Sequence, residues 1–191
     1  AFFEIDAADV TIDRYVRMGK ITIKSGYSGT INVDGYTLNA TKGFVQHNGI
    51  VLIHANSDFK VHGGAATLYN NATITSQGNN SNIKIQHNLI FYSGTTINAP
   101  GPNSSFEVRG GFRNEGGTFN HNSGTLVMNT RPTWGEAMVK VTGTGSFYNI
   151  DFRAAVNKRL HSDITVDNDL FIRGNGDLIG GNGTGGKNIT I

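Results

Sequence analysis

The sequence predicts an all-β protein, a single-stranded parallel β-helix (a β-solenoid) with right-handed coils of about 20 residues. Three observations predict this fold. Gly is abundant, at 26 of 191 residues, whereas Pro numbers 3, and Gly tolerates the positive φ that tight turns between short strands demand. Apolar and polar residues alternate in short runs, with the period of a half-buried strand. The runs also recur at similar intervals along the chain.

The alternating runs give the strands and the residues expected inside. Each run is bounded by Gly, Asn or Ser, which favour turns. Nine residues of these runs are expected to point into the core: Ile31, Val33, Ile83, Ile85, Val108, Phe119, Leu126, Ile164 and Val166. The Phe residues of the strand pattern are also expected there: Phe44, Phe59, Phe91, Phe106, Phe112, Phe119, Phe147 and Phe152. Only residues 1–14 and 157–161 could hold a turn of helix.

The starts of the runs give the length of one coil. They fall at Thr30, Ile50, Leu68, Ile83, Phe106, Thr125, Phe147, Ile164 and Ile189. The 159 positions from Thr30 to Ile189 make eight intervals of about 20 residues, which is typical of stacked repeats. A β-sandwich also has short strands, with a turn every eight to twelve residues or so, and it is the alternative fold.

The ends of the chain differ from its middle. Residues 1–9 lack the alternation and are expected to be a cap or connector, whereas residues 10–191 form the repeat array. Natural proteins cover the open end of a solenoid, because it exposes unpaired backbone groups and apolar side chains. We therefore expect the array to be a segment of a longer protein. Further coils of that polypeptide or neighbouring subunits would cover the candidate self-association residues, Ile189, Ile191, Phe2 and Phe3.

Three stretches resemble repeats of a known class of proteins. They read EGGTFNHNSGTLVMN at residues 115–129, GSFYNIDF at 145–152 and DITVDNDLFI at 163–172. They resemble the repeats of bacterial cell-surface β-solenoid proteins, namely filamentous-haemagglutinin-like and autotransporter-adhesin-like repeats. The resemblance implies a secreted or cell-surface protein with a structural or adhesive role. Such repeats are scaffolds that carry many functions.

Composition excludes several classes of function. The formal net charge is only +2 and the basic residues are scattered, whereas a nucleic-acid surface needs clustered basic residues interleaved with aromatic ones. No apolar run approaches the length of a membrane span. The chain has no Cys, which excludes Cys-based zinc or thiol chemistry. We therefore expect neither nucleic-acid partners nor a membrane span.

No metal or cofactor is expected, although calcium has weak candidate ligands. Asp163, Asp167 and Asp169 form the one acidic cluster, and the last two share a strand face by period two. Calcium takes six to eight or so oxygen ligands, so this cluster is more typical of solvated outward charge. The run RGNGDL at residues 173–178 is similar to a calcium-binding β-roll repeat, but it is one residue short and does not recur.

A weak candidate for ligand binding is Trp134, in the irregular insertion of residues 130–136. With Tyr36, Tyr69 or Tyr92 it could stack on a sugar ring, although packing of Trp134 over the core is the simpler expectation. Carboxylates are sparse and separated by whole coils, and no Gly-x-Ser-x-Gly elbow is present. We therefore expect no enzyme activity, and no catalytic residue is assigned.

The sequence predicts a non-catalytic, extracellular or cell-surface protein that acts as a stiff scaffold for display or assembly. It would serve in a surface layer, a sheath, a filament or an adhesin stalk. The alternative function is a carbohydrate-binding β-helix module of a tailspike or of a polysaccharide-degrading system. Surface glycans are then the expected partners.

Overall fold

In a computed structural model, the chain forms a β-solenoid of about eight turns, with about 22 residues in each. The structure describes residues 2–5, 8–130, 137–153, 156–180 and 187–191. The strands of this part of the chain are β1 (Phe2–Ile5), β2 (Val10–Ile12), β3 (Val16–Met18), β4 (Lys20–Ile23), β5 (Thr30–Val33), β6 (Thr37–Ala40), β7 (Phe44–Gln46), β8 (Ile50–Ile53), β9 (Asp58–Val61), β10 (Ala66–Leu68), β11 (Thr73–Ser76), β12 (Asn82–Ile85), β13 (Leu89–Tyr92), β14 (Thr96–Asn98), β15 (Phe106–Val108), β16 (Phe112–Glu115), β17 (Thr118–Asn120), β18 (Thr125–Met128), β19 (Ala137–Val141), β20 (Phe147–Phe152), β21 (Lys158–Leu160), β22 (Ile164–Ile172), β23 (Leu178–Gly180) and β24 (Ile189–Thr190).

The strands form three sheets, and most of the chain visits all three in every coil. Sheet one has the order β1-β4-β7-β10-β13-β16-β19-β21-β23, sheet two β2-β5-β8-β11-β14-β17, and sheet three β3-β6-β9-β12-β15-β18-β20-β22-β24. The strand pairs are parallel, as in β5 with β8 and β9 with β12. The predicted parallel β-solenoid is therefore confirmed over the β-sandwich, whose sheets are antiparallel. The right-handed winding stays a prediction.

Alternate residues of each strand fill the interior in columns that run along the solenoid. In sheet two, Ile31 pairs with Val51, Val51 with Ile74, and so on to Ile97 and Phe119. All five are buried. The nine residues predicted to point inward are all buried, and so are the eight Phe residues of the strand pattern. The prediction of the core is therefore confirmed.

The period estimated from the sequence is slightly short because the predicted coil starts do not share one sheet. Thr30 and Ile50 begin strands of sheet two, whereas Leu68 ends a strand of sheet one. The starts from Ile83 onward belong to sheet three. Pairs within one sheet give the true spacing, as in the 23 positions from Ile74 to Ile97.

Phe rings from several coils meet in the centre of the solenoid. The ring of Phe112 lies 5.4 Å from that of Phe91 and 5.2 Å from those of Phe119 and Phe147, measured between centroids. The angles between the ring planes are 69–79°, the edge-to-face arrangement that aromatic pairs favour. Phe112 therefore packs against residues of all three sheets, in its own coil and in the coils on either side.

The abundant Asn residues continue the stacking outside the core. Asn120 donates from Nδ2 to Oδ1 of Asn98 at 2.7 Å, and Asn98 donates to Oγ1 of Thr75 at 2.9 Å. A similar bond joins Asn80 to Asn56, two of the residues with positive φ. The first ladder runs along the strands of sheet two, whereas the bond between Asn80 and Asn56 joins the turns that precede sheet three. Both satisfy side-chain polar groups between neighbouring coils.

The cross-section changes after the sixth coil. Within the described residues, sheet two ends at β17, and only an isolated bridge between Thr118 and Thr144 continues it. Sheet three broadens at the same point, because β20 has 6 residues and β22 has 9. An irregularity between Phe147 and Asn149 shifts the register of this pair by one residue, which is the mark of a β-bulge.

The two segments that could hold a helical turn contain strands instead. Residues 1–14 include β1 and β2, and residues 157–161 include β21. The backbone of β1 pairs with β4 and so extends sheet one, while the role of residues 1–9 as a cap or connector stays a prediction. In the described residues, no helix has the length and hydropathy needed to cross a bilayer.

Candidate functional site

The outer face of sheet three carries a polar groove of about 440 Å³. It crosses β15, β18, β20 and β22, and we call it the sheet-three groove. Its floor is one register column, with one outward residue from each strand: Glu107, Val127, Asp151 and Phe171. Neighbouring strands lie about 4.8 Å apart, so these side chains are spaced regularly along the axis.

One wall of the sheet-three groove is cationic. It is formed by the residue that directly follows each strand: Arg109, Asn129, Arg153 and Arg173. Each donates its backbone N–H to the last strand residue of the preceding coil, as Arg153 does to Met128 and Arg173 to Phe152. These bonds continue the sheet ladder by one rung, so the four side chains form a second column beside the floor.

The opposite side of the groove is neutral and polar. It is lined by Pro102, Ser104, Ser105 and Thr125. Ser104 and Ser105 belong to the turn before β15, and Thr125 begins β18. The groove therefore combines a row of cations on one side with hydroxyl groups on the other.

Asp151 fixes two of the arginines. Its side chain is 3% exposed, and its two carboxylate oxygens accept hydrogen bonds from Nε of Arg153 at 2.7 Å and Nε of Arg173 at 3.0 Å. The arginine side chains themselves remain 54% and 58% exposed. A buried carboxylate thus orients two guanidinium groups that still meet solvent in the groove.

Glu107, at the other end of the floor, likewise binds two cations. Its carboxylate is 2.8 Å from Nζ of Lys84 and accepts a hydrogen bond from Nε of Arg109 at 2.7 Å. Asn129 donates a further bond at 3.0 Å. Burial alone raises the pKa of Glu107, but these hydrogen bonds together lower the pKa by more, and it lies below its ordinary value.

The lowered pKa of Glu107 predicts a loss of stability in acid. Its contribution to the free energy of unfolding is complete above the unfolded-state pKa near 4.5, and it is lost as the pH falls through the lower folded-state pKa. We expect the melting temperature to fall more between about pH 5 and pH 3 in the natural chain than in Glu107→Gln. Asp58 and Glu115, whose pKa values are also lowered, are unchanged in this comparison. Parallel melting curves for the two proteins would contradict the prediction.

The predicted acidic cluster does not converge in the structure. Asp163 accepts a hydrogen bond from the backbone of Asn188, whereas Asp169 accepts one from the side chain of Asn168. The β-bulge in this region interrupts the alternation from which a shared face was expected for Asp167 and Asp169. In the described part of the chain, no three His, Asp or Glu side chains come together in a way that could hold a metal ion.

The turn of residues 173–178 faces a lysine. Nζ of Lys158 donates to the backbone oxygens of Asn175 at 3.0 Å and Gly176 at 3.1 Å. The Lys158 side chain occupies an inward position of β21 and is fully buried. The ammonium group therefore binds two carbonyl oxygens of the turn that sequence similarity relates to a calcium repeat.

Asp167 belongs to a small polar cluster between coils. Its Oδ2 accepts a hydrogen bond from Oγ of Ser146 at 2.6 Å and lies 3.1 Å from Nε2 of His121. Nδ1 of His121 accepts the backbone N–H of Ser123, which leaves the proton on Nε2. In a hydrolytic triad the His lies between Ser and Asp. Here the Asp lies in the middle and joins Ser146 to His121, so the order differs from that of a triad.

The structure brings two of the four aromatic candidates, Tyr69 and Tyr92, into contact. Trp134 lies outside the described residues. The ring of Tyr69 lies between those of His47 and Tyr92, at 5.0 Å from each and with interplanar angles of 12° and 7°. Both of its faces are therefore occupied. Tyr36 is 47% exposed.

The self-association candidates lie at the two ends of the solenoid. Ile189 pairs with Ile164 in β22 and is partly buried against the core, whereas Ile191 is 75% exposed. Phe2 and Phe3 have described backbones only, in β1. Their predicted part in self-association stays a prediction.

Sequence reasoning missed the arginines of the sheet-three groove, although a signal was present. Phe106-x-Val108 is followed by Arg109, Ile150-x-Phe152 by Arg153, and Leu170-x-Ile172 by Arg173. Each run has two apolar residues separated by one position, and an arginine follows directly. Aligning the runs would place the three arginines in one column.

No protein-family model, curated protein or solved structure matches this chain.

Proposed function

We propose that the chain is a non-catalytic structural or adhesive scaffold of an extracellular surface. One observation carries this proposal: three parallel sheets stack in register over about eight turns. Backbone bonds between coils run along a single axis, and inward columns such as Ile31 to Phe119 fill the interior. A repeat protein of this kind is stabilised by contacts between neighbouring units, and its length follows from their number.

We also propose the class of surface protein to which the scaffold belongs. The repeats at residues 115–129, 145–152 and 163–172 resemble those of bacterial cell-surface solenoids, which favours an adhesin, sheath or filament component. Their resemblance also favours secretion.

The second candidate function is carbohydrate binding. The sheet-three groove favours it, because a single open channel combines cations, hydroxyl groups and the apolar side chains of Val127 and Phe171. A scaffold and a binding surface are compatible, since the same coils that stiffen the rod hold the groove in place.

Duplication of one coil tests the scaffold proposal. Residues 73–95 form one turn of 23 positions, since Thr73 pairs with Thr96 and Leu89 with Phe112. A second copy inserted after Thr95 should stack in register, lengthen the rod by about 4.8 Å and leave the free energy of unfolding undiminished. Small-angle X-ray scattering and denaturant unfolding measure the two quantities.

A scrambled insert with the same 23 residues is the matched control. It lacks the alternation that fills the core, so it should loop out and leave the length of the rod unchanged. The scaffold proposal is wrong if the true copy also fails to lengthen the rod or lowers the stability as much as the scrambled insert does.

A further inference from the structure

We propose that the sheet-three groove binds a linear polysaccharide that carries carboxylate or sulfate groups, and that Arg153 and Arg173 bind those groups. The inference rests on the second candidate function, carbohydrate binding. It adds the chemical class of the ligand and the residues that recognise it.

The cationic wall supplies the charge. Among the described residues, three arginines line the groove, Arg109, Arg153 and Arg173, and they pair with two carboxylates, Glu107 and Asp151. The lining residues carry a net charge of +1, and Lys84 beside the groove, which also contacts Glu107, raises the local net charge to +2. The excess positive charge of the described groove therefore attracts anions.

The arginines are oriented before any ligand arrives. Asp151 holds Nε of both Arg153 and Arg173, and at 3% exposure it is itself nearly closed to solvent. A guanidinium group presents five N–H donors in a rigid fork that matches a carboxylate or sulfate. Fixing the fork through Nε reduces the side-chain entropy that binding would cost.

The spacing of the wall suits a polymer. Arg153 and Arg173 lie on adjacent rungs, about 4.8 Å apart, and Arg109 is two rungs before Arg153. The columns run along the solenoid axis, so an extended chain with repeated acidic groups would meet several arginines in turn. A single small anion can bridge Arg153 and Arg173, as the carboxylate of Asp151 does, but it would not also reach Arg109, two rungs further along.

The rest of the groove favours a sugar over a nucleic acid. Ser105 and Thr125 line the groove with hydroxyl groups that suit those of a saccharide, and Oγ1 of Thr125 also accepts a bond from Asn149. The hydroxyl of Ser104, by contrast, bonds to Gly78 and Ser81. Single-stranded nucleic acids bind through aromatic faces on which bases stack. Phe171 is the aromatic residue of the described lining, and the guanidinium of Arg173 already lies 4.9 Å from its ring centroid.

Binding to immobilised polymers tests the inference on the full chain. The probes are heparin for sulfate groups, polygalacturonate for carboxylate groups, dextran as a neutral polysaccharide and single-stranded DNA as a polyanion of another class. We expect heparin or polygalacturonate to bind in a salt-dependent manner and dextran not to bind. The double variant Arg153→Gln with Arg173→Gln should weaken binding at least about tenfold.

A double variant elsewhere separates the site from overall charge. Arg14→Gln with Lys42→Gln removes the same charge from two exposed residues that lie in turns outside the strands of sheet three, and it should leave binding unchanged. Because the Gln variant leaves Asp151 without a counter-charge, its melting temperature is measured in parallel. If it unfolds, Arg153→Lys with Arg173→Lys keeps the charge but loses the planar fork, and it should still weaken binding.

Three results would overturn the inference: no binding to either acidic polysaccharide, equal weakening by both Gln variants, or tighter binding of DNA through the same arginines. If acidic polysaccharides fail to bind while the duplicated coil lengthens the rod, only the groove assignment falls. If the duplicated coil fails and site-dependent binding persists, the scaffold proposal falls and the groove assignment stands.

Discussion

Replacement of Phe112 with Ala is expected to lower the free energy of unfolding by about 3–5 kcal/mol. The Phe112 side chain is fully buried, and its ring packs edge-to-face against Phe91, Phe119 and Phe147. Truncation leaves a cavity among rings from neighbouring coils, and strands held in register on both sides cannot easily close it. Urea unfolding followed by circular dichroism measures the loss.

The same truncation at an exposed Phe is the control. Phe171 is 36% exposed on the outer face, so Phe171→Ala should change the free energy of unfolding by less than about 1 kcal/mol. Phe112→Ala and Phe119→Ala should also couple, because the rings are in contact, and their combined effect should depart from additivity by about 0.5 kcal/mol or more. Equal effects at Phe112 and Phe171 would contradict the packing of the core.

The core could be predicted because its signal is local. Successive residues of a strand point to opposite faces. A run such as Ile83-x-Ile85 therefore indicates which side chains point inward, regardless of the sheet to which the strand belongs. Phe residues in such runs could be assigned to the core for the same reason. The parallel stacking followed from recurrence of the runs, without knowledge of which strands pair.

The assignment of strands to sheets could not be predicted, because it depends on loop length. Leu68 and Ile83 both belong to alternating runs, yet the first lies in sheet one and the second in sheet three. The sheet-three groove was missed for the same reason. Arg109 and Arg153 are 44 positions apart in sequence, so their place in one wall emerges only when the runs that precede them are aligned or the lateral register is known.

Two local features also departed from the pattern. The β-bulge near Asn149 depends on the partner strand and leaves no mark in a single run of residues. Lys158 occupies an inward position because its ammonium group binds carbonyl oxygens of the next coil, which alternation alone does not reveal. Both features lie after sheet two has ended, where the repeat is least regular.

Replacement of Gly145 with Ala is expected to lower the free energy of unfolding by about 2–6 kcal/mol, through two effects. Gly145 has a φ of 120°, and holding an L-residue in such a conformation costs about 1–3 kcal/mol. An added Cβ would also overlap the carbonyl oxygen of Phe119 in the preceding coil, and overpacking costs about 1–3 kcal/mol more. The contact is with backbone, so no side-chain rotation relieves it.

Gly26→Ala is the matched control for this change. A Cβ at Gly26 would meet no atom within 4 Å, and Gly26 is not among the residues with positive φ, so the change should stay within about 0.5 kcal/mol. Gly145 directly follows the bridge from Thr118 to Thr144, at the point where sheet two ends and sheet three broadens. The comparison of the two variants therefore tests how the chain stacks at that point. If Gly145→Ala is as mild as Gly26→Ala, the backbone after Thr144 does not lie against Phe119. The last coils would then stack differently from the arrangement described.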